Sequence, residues 1–134
     1  VVALQTLDGD AFTLADYRGK MLVVNFWATW CEPCIEEMPA LQNFYDNYEG
    51  DDLEIVLVTV TDPQQDEVTI AEFVEELGIT LTVGLSENAQ LNNLLNVRAL
   101  PSTYFIDTEG ITRGMWMGLI TEEDLQNEID LLTG

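Results

Sequence analysis

The chain has no histidine and, among its 134 residues, only four basic side chains and two cysteines. Each shortage excludes something. Without imidazole there is no His-based acid–base catalysis, no Cys–His nucleophile dyad and no imidazole metal ligand. One Lys and three Arg stand against 25 acidic residues, a formal net charge of −21. Such a surface has no cationic stretch to replace the counterions of a nucleic acid, and an anionic membrane surface is disfavoured for the same reason. What the charge favours is solubility, a salty setting, or a basic partner protein. No run approaches the ~20 apolar residues of a membrane-spanning helix. No leader is evident, yet Val1 is not a natural start, so the chain is expected to be the soluble part of a longer protein.

A hydrophobic content of 47% over a one-domain length can bury a core without disulfide staples, and residues 1–134 are expected to form a single domain. Alternation over 3–7, the turn Asp8-Gly9-Asp10 and the segment 11–14 predict an N-terminal hairpin. The nearly continuous apolar runs 21–27 and 53–60 suit strands buried on both faces, as in a parallel sheet between helix layers. Between them Ile35, Met38, Leu41, Phe44 or Tyr45, and Tyr48 recur at helical spacing, with Pro39 inside, where a kink is expected. Thr69 and Glu72 read as a capping box opening a second helix that stops at Gly78. Ser86 is the expected cap of a short third helix carrying Leu91, Leu94 and Leu95, with a strand between the two. Strands at 102–106 and 111–117 flank the turn Asp107-Thr108-Glu109-Gly110. Thr121, Asp124, Ile120 and Leu125 mark the start of a last helix with a capping box and a hydrophobic staple. The order predicts an α/β fold, a three-layer α/β/α sandwich with a mixed central sheet and an N-terminal β-hairpin extension.

The two cysteines sit in the stretch T-W-C-E-P-C-I-E-E-M-P, residues 29–39. A Cys31–Cys34 disulfide closes too small a loop to gain much entropy, so a structural staple explains the spacing poorly. As a zinc site the pair supplies two ligands of four, and a copper site would need external ligands. Position favours a redox pair. Cys31 falls where a buried strand passes into a helix, and unsatisfied N–H groups and the helix dipole there stabilise a thiolate. Cys31 is therefore expected to be the exposed nucleophile and Cys34 the more covered, resolving thiol. The apolar Trp30 offers docking surface for an extended substrate.

The run N-F-W-A-T-W-C-E-P-C-x-x-E-x-P (residues 25–39) resembles the thioredoxin superfamily, in particular the extracytoplasmic TlpA/ResA-like thiol–disulfide oxidoreductases. The lead-in D-G-D-A-F-T-L-A-D-Y-R-G-K and the later R-A-L-P-S-T-Y-F-I-D resemble the same family in the same order, so the likeness covers most of the chain. It implies a thioredoxin-like fold and a reductase of disulfides in exported proteins, with apocytochrome c before haem attachment as one such protein. It also implies a membrane thiol–disulfide electron donor, no bound cofactor or metal, and a monomer tethered outside the cytoplasm by an N-terminal segment. Within this superfamily a cis-proline faces the C-x-x-C, and the residue before it receives the substrate as an added strand. The likeness thus places Leu100 and Pro101 in the substrate groove, with Trp30, Glu32 and Pro33 on its other side.

Glu37 follows Cys34 by three residues and shares a helix face with it, and Leu41, Phe44 and Tyr48 continue that face into the interior. Its carboxyl should be desolvated, with a raised pKa, and able to exchange a proton with Cys34. Asn25 stands where the thioredoxin pattern often has a buried Asp, and an amide cannot shuttle protons. Glu36 is expected to be solvated. Glu32, between the cysteines, disfavours the Cys31 thiolate and offsets part of the dipole, which predicts a reducing couple. Two other functions fit the fold. A copper chaperone of this type uses a wider cysteine spacing and a distant His, and a non-catalytic interaction domain would not need Cys31. A peroxidase would need Thr three residues before its cysteine, where Ala28 stands.

Overall fold

A computed structural model describes residues 2–133. The apolar run at 21–27 forms β3 (Met21–Phe26), and all six of its residues are buried. Apart from Asn25 it can be apolar because both faces and both edges are covered. On one side it pairs in parallel with β4 (Leu53–Thr61), Val23 opposite Ile55, and on the other antiparallel with β6 (Ser102–Ile106), Phe26 opposite Ser102. Beyond β4 lies β5 (Thr82–Glu87), parallel, and beyond β6 lies β7 (Thr112–Met117), antiparallel.

The expected N-terminal hairpin is β1 (Leu4–Gln5) with β2 (Ala11–Phe12), turning at Gly9 with φ of +91°. It is part of the main sheet: Gln5 pairs with Leu85, which gives the strand order β2-β1-β5-β4-β3-β6-β7. Gly84 makes this docking close, since a Cβ there would come within 3.0 Å of the Phe12 ring.

The helices are α1 (Glu32–Asn47), α2 (Glu67–Glu76), α3 (Gln90–Leu94) and α4 (Glu122–Thr133). Met38 and Leu41 of α1, Ile70 and Val74 of α2, and Leu125 and Ile129 of α4 pack with Val23, Ile55 and Leu57 on one face of the sheet. Leu22, Val24, Phe26, Val56 and Val58 face the other way, against Leu91 of α3 and a 3-10 turn at Leu14–Tyr17. The result is the expected three layers around a mixed sheet. β3 and β4 advance in the same direction as β4 and β5, so right-handed crossovers put α1 and α2 on one face.

Two helix starts differ from expectation. α2 begins at Glu67, because Asp66 rather than Thr69 is the cap: its carboxylate accepts the Thr69 N–H at 2.8 Å. Ser86 belongs to β5, and α3 starts after Asn88 and Ala89, both in the left-handed region. Ser86 still accepts the Leu91 N–H at 3.3 Å, from outside the helix. α1 continues through Pro39 to Asn47. At α4 the expected box is present, with Asp124 N–H donating to Thr121 Oγ1 and Thr121 N–H to Asp124 Oδ2, each at 3.1 Å.

Candidate active site

The site forms where β3 runs out. Trp27 still belongs to the sheet: its N–H donates to the Val58 carbonyl at 3.0 Å, and its carbonyl accepts the Thr59 hydroxyl at 2.7 Å. Its indole is buried and stacks on Phe73 of α2, ring centroids 6.0 Å apart. Ala28, Thr29 and Trp30 then turn the chain into α1. Cys31 is the residue capping that helix, and its Sγ accepts the Cys34 N–H at 3.4 Å. Pro33 falls in the first turn, where a missing N–H removes a donor that has no intrahelical partner anyway. Cys31 and Cys34 are joined as a disulfide with a Cα–Cα distance of 5.3 Å.

The expectation of an open first sulfur needs correction. In the bridged state Cys31 is 6% exposed and Cys34 is fully buried. The bond to Cys34 holds the first sulfur over the start of the helix, so only a sliver remains accessible. The ranking of the two is as expected, but the openness is not. Exposure at this corner belongs instead to Trp30, at 63%, and to Glu32 and Pro33 beside it.

The glutamates divide as the helical period requires. Glu36 is exposed and Glu37 is buried. Glu37 Oε2 accepts the Asn25 amide at 2.6 Å, and Oε1 accepts the Ile120 N–H at 3.1 Å. One carboxyl thereby ties α1 to β3 and to the residue before the α4 cap. Burial pushes its pKa up to about 7, while the bonds from Asn25 and Ile120 oppose the rise. Among the described residues no hydrogen bond joins Glu37 to either sulfur. Asn25 also donates to Thr103 Oγ1 at 3.0 Å, and its own Oδ1 is buried without a partner.

Across β6 the Leu100–Pro101 peptide bond is cis, as the resemblance implied. Phe26 pairs with Ser102, so Pro101 lies at the end of β3 from which the cysteine loop emerges. Trp30 and Leu100 line a shared groove of about 290 Å³ with Asn92, Val97, Arg98 and Ala99. Glu32, Pro33 and the buried Pro101 do not line it. No group of three or more His, Cys, Asp or Glu side chains among the described residues could hold a metal ion.

Gln65 is a residue that sequence reasoning missed. It is buried, and its Oε1 accepts both the Thr29 N–H at 2.9 Å and the Thr29 hydroxyl at 2.8 Å. Its Nε2 donates to Thr59 Oγ1 at 2.6 Å and to the Val60 carbonyl at 2.7 Å. One amide thus staples the loop before Cys31 to the end of β4. Nothing in the sequence separates it from its exposed neighbour Gln64.

Residues 2–115 match the AhpC/TSA family. The chain is 35% identical over 127 residues to the thiol-disulfide oxidoreductase ResA of Geobacillus kaustophilus, covering 95% of this chain and 71% of that protein. A solved structure described as a putative thiol:disulfide interchange protein DsbE from Chlorobium tepidum superposes with a TM-score of 0.87 at 25% identity, over 98% of this chain and 92% of the other. The pneumococcal exposed lipoprotein thioredoxin Etrx1 from Streptococcus pneumoniae gives 0.81 at 26% identity, over 96% and 97%. A bridged C-x-x-C at the front of α1 and likenesses that span nearly the whole chain lead to one conclusion: the protein belongs to the AhpC/TSA family and, like its ResA relatives, is a thiol–disulfide oxidoreductase.

Proposed function

We propose that the protein works as a reductase of disulfides in exported proteins, with Cys31 as nucleophile, Cys34 as resolving thiol and Glu37 as proton carrier. The observation that carries this reading is the asymmetry of the pair. Cys31 caps α1 and keeps the only accessible surface, while Cys34 lies behind it on the helix face that also buries Glu37. In the reduced protein the Cys31 thiolate attacks one sulfur of the substrate disulfide. That S–S bond breaks, a Cys31–substrate bond forms, and the departing sulfur takes up a proton. Cys34 gives its proton to the Glu37 carboxylate and attacks Cys31 Sγ. The second substrate sulfur leaves and takes up a proton, so the substrate departs as a dithiol carrying two electrons and the enzyme is left as the disulfide seen here. A carboxyl that titrates near neutrality suits this exchange, since it both takes and returns a proton.

A membrane thiol–disulfide donor restores the dithiol. The reducing direction is supported by Glu32, a carboxylate in the first turn that works against the thiolate the helix start would stabilise. Trp30 and Leu100 share a groove, and with Glu32, Pro33 and Pro101 they receive the substrate, apocytochrome c among the candidates. Placement outside the cytoplasm, with a membrane tether, is supported by likeness to a protein described as an exposed lipoprotein. A net charge of −21 keeps copies apart and favours a monomer.

Trapping tests the reading. Cys34→Ser should accumulate a mixed disulfide between Cys31 and a substrate protein, released by dithiothreitol and identifiable by mass spectrometry. If Cys31→Ser captures the same proteins as Cys34→Ser, the assignment of the two sulfurs is wrong.

A further inference from the structure

Four cations serve a protein with 25 carboxylates. Lys20 pairs with Glu54 at 3.2 Å and Arg113 with Asp107 at 2.8 Å. Arg98 is exposed and forms no ion pair among the described residues, although acidic side chains outnumber basic ones sixfold. It lies three residues before the cis-proline, in the groove that Trp30 and Leu100 share. No carboxylate lines that groove; its other walls are Asn92, Val97 and Ala99. The site of sulfur exchange is therefore flanked by a locally cationic, largely apolar patch on an anionic molecule. Beside it the backbone N–H and carbonyl of Leu100 have no hydrogen-bond partner among the described residues, so an extended chain can pair there.

We propose that Arg98 makes this groove selective for disulfides flanked by an acidic residue. The proposal rests on the reading of Cys31 as the attacking sulfur. The substrate chain lies extended across Leu100, sets an apolar side chain against Trp30 and presents a carboxylate to Arg98, whose guanidinium fork donates two parallel hydrogen bonds to it. The surrounding negative field opposes acidic ligands at long range, but at physiological salt it is screened beyond about 8 Å. The contact at Arg98 then decides which substrates dwell long enough to react.

The test uses the reduced protein and short peptides whose single cysteine is capped by thionitrobenzoate, with Glu, Gln or Lys placed two residues before or two residues after it. Cys31 displaces thionitrobenzoate or the peptide thiol, and stopped-flow absorbance with mass spectrometry of the products gives second-order rates. In at least one placement, wild type should favour Glu over Lys by about threefold to tenfold, the range that exposed to partly desolvated ion pairs support. Arg98→Gln should remove the preference and Arg98→Glu should reverse it. The Glu-to-Lys ratio is an internal control for any general loss of activity. A ratio unchanged in both variants, or a wild type that favours Lys in both placements, overturns the proposal. Failure of the wild type to react even with the Gln peptides overturns instead the reading of Cys31.

Discussion

Replacing Glu37 by Gln isolates the contribution of one buried carboxyl. The carboxyl titrates near 7 in the folded chain against an ordinary value of 4.5, chiefly because burial penalises its charge. Between those two pH values the unfolded chain has released this proton and the folded chain still holds it. Stability therefore falls as pH rises from the ordinary value to the folded one, and is level above it. The full shift corresponds to about 3 kcal/mol, most of it falling between about pH 5 and 8. Gln has nearly the same shape and does not titrate. Its oxygen can still accept the Ile120 N–H, but its amide nitrogen would meet the Asn25 amide nitrogen, donor against donor. Rotation of the Asn25 amide removes the conflict by presenting Oδ1, the atom that lacks a partner in the native protein. Urea unfolding of the oxidised forms between about pH 5 and 8 should show the gap between variant and wild type moving by about 2–3 kcal/mol in favour of the variant as pH rises. The other carboxylates titrate in both proteins and cancel. Parallel curves across that range would refute the assignment of a near-neutral proton to Glu37. In single-turnover reduction the same substitution should remove an inflection near neutral pH.

Gln65→Ala strips the bonds that hold Thr29 to the end of β4 and removes these partners from the half-buried Thr29 N–H and Val60 carbonyl. A loss of about 2–3 kcal/mol in urea unfolding is expected, together with slower exchange at Cys31. A loss under about 0.5 kcal/mol would show that water takes over the role. Glu32→Gln should let Cys31 ionise at lower pH and make the couple more oxidising. Thiol alkylation rates against pH and equilibration with glutathione measure the two effects, and an unchanged or higher ionisation pH for Cys31 defeats the electrostatic argument for a reductase.

Much of the fold could be read along the chain because the signals are local or periodic. The apolar run at β3, the Thr121–Asp124 box at α4 and the Gly110 turn, with φ of +85°, each depend on residues within a few positions of one another. Glu36 and Glu37 could be separated because a helix repeats every 3.6 residues, which turns one outward and the next inward. The start of α2 was misplaced because Asp66 and Thr69 are both good caps, and which one takes the role depends on how the chain leaves β4. The cis bond at Pro101 was implied only by family likeness, since local preference runs the other way.

The sequence by itself determined the pair of sulfurs, their place at a strand-to-helix junction and the helix face that carries Glu37. Tertiary structure alone decided what surrounds them. Asn25 reaches Glu37 from 12 positions away, Gln65 reaches Thr29 from 36, and Ile120 closes on Glu37 from 83. Arg98 shares a groove with Trp30 only because β6 lies beside β3. Hydrogen bonds and burial act over a few ångströms of space, whereas a sequence records only distance along the chain. The residues of the candidate site could therefore be named early, while the proton affinity of Glu37 and the burial of the sulfurs followed only when the sheet brought distant segments together.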